Sequence, residues 1–184
     1  MGTSKALLPF GPETMLQRVV RLLGEVVTPI VAVAAPSQEL PDLSTDVIVT
    51  RDAREGRGPL EGLLAGLKAL PEDIDAAYVT SCDVPLLVPG FVAQMLDLAR
   101  GYDAAVMEVE GFLHPLSAVY RRTTLPHVES LLAADRLRPA FLFEAVRTRR
   151  VNPSEMTADP SLDTLRNLNT PEDYETALAA AGLR

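Results

Sequence analysis

The stretch AAYVTSCDVPLL, residues 76–87, combines a short apolar run with a polar end that carries one acid, Asp83. The run is typical of a strand that is buried on both faces of a sheet. Ligands of open parallel α/β sheets bind beyond the carboxyl ends of the strands, which makes Asp83 a candidate ligand for a metal or a ribose. The alternative is a helix N-cap, although the next helical segment begins only near Pro89. From position alone, both interpretations stay open.

Apolar runs of strand length alternate with segments of helical periodicity on both sides of this stretch. The pattern predicts strands at 30–35, 46–50, 76–80, 103–108, 111–120 and 148–152, and helices at 15–23, 59–70, 89–100, 122–134, 139–146 and 171–181. Such alternation indicates an α/β fold of three layers, in which a mostly parallel sheet carries helices on both faces. We expect residues 1–184 to form one domain.

Length, charge and cysteine content exclude several classes of protein. A chain of 184 residues is long enough for one domain with a substantial core. The net charge of -8 argues against binding to nucleic acid, and no apolar run reaches the roughly 20 residues of a membrane span. The single cysteine, Cys82, excludes an internal disulfide and, with no signal-like leader, favours the cytoplasm. An anionic ligand must therefore be held by a few local groups.

The stretch EGRGPLEGLLAGL, residues 55–67, is a turn rich in glycine that runs directly into a helix. Pro59 suits the first turn of that helix. The glycines would let the backbone approach a planar or phosphorylated ligand, and the helix start offers free N–H groups to an anion. The alternative is a tight turn with close helix packing at Gly62 and Gly66, which the residues alone favour.

Two further polar residues are candidates for contact with a substrate. His114 precedes a proline, which favours an extended backbone at the start of the strand predicted at 111–120. It could contact a substrate or be satisfied by packing and one backbone hydrogen bond. Arg138 ends the segment DRLR between two predicted helices, where it could touch an anion or remain solvated.

Four stretches in order resemble the signatures of the molybdenum cofactor guanylyltransferases and their close nucleotidyltransferase relatives. They are MGTSKALL (1–8), GPLEGL (58–63), SCDVPL (81–86) and NLNTPED (167–173). Each is weak alone, but four in this order and spacing form a specific signal that covers nearly the whole chain. The resemblance implies a Rossmann-like nucleotidyltransferase fold.

The resemblance also implies a reaction, in which GMP passes from GTP to molybdopterin and pyrophosphate is released, with Mg²⁺ bridging the phosphates. This chemistry depends on positioning and charge neutralisation more than on acid–base groups. By resemblance, Lys5 would hold the triphosphate and Asp83 would ligate Mg²⁺. Asp52 would help to seat the base and ribose together with the turn that contains Gly58, Pro59, Leu60 and Gly62.

The acceptor side is assigned in the same way. By resemblance, Asn167 and Asn169 would face the pterin, and His114 and Arg138 fall where the family places acceptor-side residues. A hard cation with one or two carboxylates and several phosphate oxygens suits Mg²⁺. The implied partners are GTP, molybdopterin and transient proteins that deliver the cofactor.

Two features differ from the family pattern. The family begins with a strand and a loop of the type LAGGxSxR before the segment MGxxK, and this chain has neither. Because that strand would lie in the middle of the sheet, we expect Met1 to be an internal methionine of a longer natural protein. The second difference is Ala35, near a position where these guanylyltransferases carry asparagine.

These differences define two alternative functions. One is a cytidylyltransferase or other nucleotidyltransferase that acts on molybdopterin or another small phosphorylated acceptor. The other is a non-catalytic relative that binds a nucleotide or a partner protein, which the absent glycine loop favours. The presence of both Lys5 and Asp83 argues against an inert relative.

Overall fold

A computed structural model describes residues 4–54 and 56–183, so the first three residues of the MGTSKALL motif lie outside it. The strands of the described residues are β1 (Pro9–Phe10), β2 (Glu13–Thr14), β3 (Ile30–Ala34), β4 (Val47–Arg51), β5 (Ala76–Thr80), β6 (Ala104–Val109), β7 (Phe112–Arg121) and β8 (Thr148–Val151). The α-helices are α1 (Met15–Gly24), α2 (Pro59–Ala69), α3 (Pro89–Leu98), α4 (Leu125–Ala133), α5 (Ala140–Ala145) and α6 (Pro171–Ala180). The predicted elements are present, with ends shifted by a few residues at most.

Capping and periodicity explain the two helices at the ends of the chain. Thr14 accepts a hydrogen bond from the Gln17 amide at 3.3 Å, and the Gln17 side chain accepts one from the Thr14 amide at 2.8 Å. This capping box starts α1, which buries an apolar stripe of Met15, Val19 and Leu23. Helix α6 starts with an equivalent box that Thr170 provides.

The largest sheet has four strands in the order β5-β7-β6-β8. Strands β5 and β6 pair antiparallel with β7, whereas β8 pairs parallel with β6, so three of the four strands share one direction. Strand β7 is reversed because Glu110 and Gly111 form a two-residue hairpin turn with positive φ angles of 51° and 82°. The predicted α/β class is confirmed, with a mixed sheet.

Helices cover both faces of this sheet, as three layers require. Alternate side chains of β6 and β7 point to opposite faces. One face packs against α2, α4 and α5 through a cluster that includes Leu60, Val106, Tyr120 and Leu142. The other face packs against α3 in a second cluster that includes Phe91, Met95, Met107 and Val119.

Strands β3 and β4 form a separate parallel pair, and within the described residues no strand joins it to β5. A largely apolar cleft of about 740 Å³ lies between β3 and β5, with α1 and α2 along its sides. The prediction that residues 76–80 are buried on both faces is therefore wrong, because the cleft leaves every residue of β5 half-buried. The cleft therefore separates the β3-β4 pair from the four-stranded sheet.

Replacement of Asp159 tests one buried polar contact that holds the segment before α6. The buried Asp159 carboxylate accepts hydrogen bonds from the amides of Asp163 at 3.0 Å and Thr164 at 2.9 Å. Asp159→Ala leaves both amides without this acceptor, so we expect the free energy of unfolding to fall by about 2 kcal/mol. Urea denaturation measures the change. Asp97→Ala removes an exposed pair with Arg100 and should cost less than about 0.5 kcal/mol. Equal losses in the two variants would contradict the prediction.

Candidate functional site

Three of the four sequence motifs meet at the ammonium group of Lys5. Its Nζ donates to Asp83 Oδ2 and to Asn169 Oδ1, each at 2.8 Å. The Lys5 side chain is 33% exposed and that of Asp83 is 13% exposed, so the pair is reachable from solvent on the lysine side. A cation, a carboxylate and an amide therefore converge at one point, although they lie far apart in sequence.

The loop after β5 fixes Asp83. The Ser81 hydroxyl donates to Asp83 Oδ1, and the Asp83 carbonyl accepts the Leu168 amide at 2.9 Å. On the other side of the loop, Arg18 donates to the Pro85 carbonyl at 2.6 Å. Helix α3 starts later, with Val88 at its N-cap position, so Asp83 does not cap it. The capping interpretation of Asp83 is therefore wrong, and the interpretation of Asp83 as a ligand stays a prediction.

The start of α6 fixes Asn169. The Asp173 carboxylate accepts hydrogen bonds from the amides of Thr170 at 2.8 Å and Asn169 at 3.1 Å. These contacts, with hydrogen bonding to the Thr170 side chain as the largest cause, hold the pKa of Asp173 below its usual value. Leu168 is buried, whereas Asn167 and Asn169 on either side of it are exposed.

Asp52 lies directly after β4, and its amide donates to the Ala34 carbonyl at 2.9 Å. Its Oδ1 is buried, and among the described residues it has no hydrogen-bond partner. A Cβ atom at Gly62 would lie 3.4 Å from this oxygen, which is an ordinary van der Waals distance, so the carboxylate lies against the first turn of α2. Burial raises the pKa of Asp52, and the negative charge of Glu61 raises it further.

The glycine turn and the loop after β5 face the same cleft. Asp52, Gly58, Pro59 and Gly62 line it. Gly58 has a φ of 71°, a conformation that favours glycine, and Pro59 is the first residue of α2. Ser81 and Cys82, which follow β5, line the cleft from the other side.

Leu60 differs from the other residues that we assigned to the nucleotide. Its side chain is fully buried in the core cluster beneath α2 and does not line the cleft. A nucleotide role for the Leu60 side chain is therefore corrected, since the position offers only its main chain.

The predicted acceptor-side residues are more dispersed. No hydrogen bond or ion pair within residues 4–54 and 56–183 joins His114, Arg138 or Asn167 to Lys5 or Asp83. His114 is half-buried on β7 opposite Met107, and burial lowers its pKa, which favours the neutral imidazole. Arg138 is exposed and follows Leu137, whose carbonyl lies 4.0 Å from the position of a Cβ at Gly58.

Sequence reasoning missed two groups beside the site. Ser81 bonds Asp83, and a hydroxyl two residues before an acid was a local signal for this contact. Arg57 and Glu61 form an ion pair at the start of α2, for which the spacing of four residues was a signal.

No group of three or more His, Cys, Asp or Glu side chains in the described part of the chain could hold a metal ion. A metal at Asp83 would thus depend on a single carboxylate, water and oxygen atoms of a substrate, which is the way Mg²⁺ binds with phosphates. In the same part of the chain, every helix is too short or too polar to cross a membrane.

An α/β fold with a carboxylate beyond one strand and a glycine turn beside another is typical of nucleotide-binding proteins of the Rossmann-like type. Comparison with protein families resolves the class further. The chain belongs to the family of MobA-like NTP transferase domains, whose sequence model matches residues 1–149. The resemblance seen in the four motifs is confirmed.

Individual relatives agree with this family. A protein of Carboxydothermus hydrogenoformans named probable molybdenum cofactor guanylyltransferase is 31% identical over 189 residues, which span 100% of this chain and 91% of the relative. The crystal structure of molybdopterin-guanine dinucleotide biosynthesis protein A from Archaeoglobus fulgidus superposes with a TM-score of 0.81 at 17% identity, covering 100% of this chain and 93% of that chain. The 2-C-methyl-D-erythritol 4-phosphate cytidylyltransferase of Thermus thermophilus has a TM-score of 0.72 at 19% identity, covering 98% and 95%. The two structures confirm the nucleotidyltransferase fold.

The pH dependence of stability tests the contacts that hold Asn169. The pKa of Asp173 is lower in the folded chain than in the unfolded chain, where it is about 3.9. The ionised carboxylate therefore stabilises the fold above this unfolded pKa. The stabilisation is lost as the pH falls through the lower folded pKa. We expect Asp173→Asn to reduce the free energy of unfolding at pH 7 and the difference from wild type to shrink below pH 4. Urea denaturation between pH 7 and pH 3 measures it. Glu172→Gln in the same helical turn is the control, and a deficit as large as that of Asp173→Asn at pH 7 would contradict the prediction.

Proposed function

We propose that this protein transfers GMP from GTP to the phosphate of molybdopterin, with release of pyrophosphate and with Mg²⁺ as cofactor. The observation that carries the proposal is the meeting of Lys5, Asp83 and Asn169 at one point beside the cleft. The name of the Carboxydothermus relative, together with membership of the family, supports this acceptor and this nucleotide.

On the nucleotide side, Lys5 binds the triphosphate as a cation. Asp52 and the main chain of the turn around Gly58 and Gly62 seat the base and ribose. The buried Oδ1 of Asp52 supports this role, because an acceptor without a partner at a cleft is suited to the N–H or hydroxyl groups of a nucleotide. Pro59 and the main chain of Leu60 complete the turn.

Asp83 is the residue that would hold Mg²⁺, which supplies neutralising charge to the phosphates. The residues fit this ion, because the carboxylate is partly exposed and is already oriented by Ser81 and by the main-chain contact to Leu168. In the free protein the Lys5 ammonium neutralises the carboxylate. Lys5 and Asp83 are thus close enough to contact the same triphosphate.

On the acceptor side, Asn169 and Asn167 contact the pterin, with His114 and Arg138 farther out. Asn169 has the strongest structural support of these four residues, because its side chain accepts a hydrogen bond from Lys5. The reaction would take place in the cytoplasm, with transient delivery proteins as partners.

A second candidate is transfer of CMP or another nucleotide. It is favoured by Ala35, whose short side chain offers no hydrogen bond to a base and whose amide donates to Gln38 Oε1 at 3.2 Å. The fold shared with the Thermus cytidylyltransferase is compatible with this alternative. The third candidate, a non-catalytic nucleotide-binding relative, predicts binding without turnover.

Equilibrium binding distinguishes these candidates. We expect GTP with Mg²⁺ to bind at least tenfold more tightly than CTP or ATP, because only the correct base leaves no polar group of the site unpaired. Isothermal titration calorimetry measures the three affinities. Tighter binding of CTP would replace GMP transfer by CMP transfer. Binding of GTP without formation of pyrophosphate in the presence of molybdopterin would favour the non-catalytic relative.

Replacement of Asp83 tests the proposed metal ligand. We expect Asp83→Ala to lower Mg²⁺-dependent pyrophosphate release by at least about a hundredfold, because a preorganised charge at the phosphates is lost. The circular dichroism spectrum should stay that of the wild type. Asp75→Ala, which removes an exposed acid at the other end of β5, is the matched control and should keep full activity. Unchanged turnover in Asp83→Ala would remove Asp83 from the metal role.

A further inference from the structure

Arg57 lies in the turn between β4 and α2, and its side chain is only 19% exposed. Its guanidinium reaches two different elements. On α2, Nε lies 3.4 Å from Glu61 Oε2. At the end of α4, Nη2 donates to the Leu132 carbonyl and Nη1 donates to Asp135 Oδ1 at 3.0 Å. One side chain thus links the glycine turn to a separate helix.

The contact with Glu61 gives Arg57 an electrostatic role. Glu61 is only 6% exposed, and a carboxylate at such depth needs an opposite charge nearby. Its charge also reaches Asp52, because it contributes to the raised pKa of that carboxyl. Arg57 therefore neutralises an acid that stands next to the nucleotide side of the site.

The chain reverses direction after α4 in a turn that contacts Arg57. The amides of Asp135 and Arg136 donate back to the carbonyls of Leu132 at 3.2 Å and Leu131 at 2.9 Å, which is the pattern of a Schellman motif. Asp135 adopts a φ of 56° at this turn. The reversal brings the Asp135 carboxylate to Arg57 and the Leu137 carbonyl to within 4.0 Å of the Cβ position at Gly58.

We propose that Arg57 is a positioning residue that fixes the turn of Gly58 and Gly62 to the loop after α4, and so sets the nucleotide side of the site relative to the loop that carries Arg138. The proposal rests on the proposed function. An ion pair between an exposed arginine and an exposed aspartate would contribute little to the stability of the turn. Arg57 differs from such an exposed arginine because it is mostly buried and also pairs with the buried Glu61. In addition, its guanidinium group donates to a main-chain carbonyl.

Loss of Arg57 should act on nucleotide binding more than on the chemical step. The turn would keep its sequence but lose the contacts that place it, so GTP binding would have to order the turn, which reduces affinity. We expect Arg57→Met to raise the KM for GTP at least tenfold, with kcat at saturating GTP within threefold of wild type. Arg57→Lys keeps the charge beside Glu61 but lacks the several donors of a guanidinium group. It should therefore recover only part of the affinity for GTP.

The experiment uses the full chain and two readouts. Steady-state pyrophosphate release gives KM for GTP and kcat, and hydrogen exchange without substrate follows peptides that cover residues 58–63 and 131–138. We expect both peptides to exchange faster in Arg57→Met. Arg149→Met is the matched control, because it removes a half-buried arginine that pairs with Glu155 beside β8, and it should change neither peptide nor KM.

Three results would overturn the proposal. One is unchanged exchange of both peptides in Arg57→Met, and another is faster exchange with an unchanged KM for GTP, which would make the contact purely structural. The third is full recovery of KM by Arg57→Lys, which would show that charge alone suffices. If the wild type binds no nucleotide, the proposed function fails together with this inference. If the wild type is active and the Arg57 variants have the same KM for GTP, only the inference is refuted.

Discussion

The contact of the Lys5 ammonium with Asp83 and Asn169 is the constraint on which the candidate site depends. A carboxylate as buried as that of Asp83 needs a cation, and the described chain supplies it from the turn that precedes β1. The main-chain bond between Leu168 and Asp83 adds a second connection to the same place. Three distant parts of the chain therefore meet there, since the Lys5 ammonium donates both to the Asp83 carboxylate and to the Asn169 amide oxygen.

The helices and strands could be predicted to a large extent, because local physics fixes them. The capping boxes at Thr14 and Thr170 mark helix starts that residues within one turn determine. Strand burial was harder to predict. The apolar run at residues 76–80 has the composition of a fully buried strand, and only the position of β3 across the cleft leaves it half-buried.

The members of the candidate site could be assigned by resemblance, whereas their arrangement could not. Lys5 and Asp83 are separated by 78 residues, and no periodicity indicates that their side chains meet. The contact of Arg57 with the end of α4 could not be predicted, because its partner there is the Leu132 carbonyl, a group that every residue possesses. Leu60 was misjudged because the glycine turn and the first apolar residue of α2 adjoin in sequence but face opposite sides of the helix.

The separation of 164 residues between Lys5 and Asn169 has a consequence for protein synthesis. Domains assemble as the chain emerges from the ribosome, and contacts between distant residues form only after both partners have been made. Both partners of the contact between Lys5 and Asp83 have been synthesised once residue 83 is made, whereas Leu168 and Asn169 are synthesised much later. Every nascent chain that stops short of residue 169 therefore lacks one of the two side-chain partners of the Lys5 ammonium.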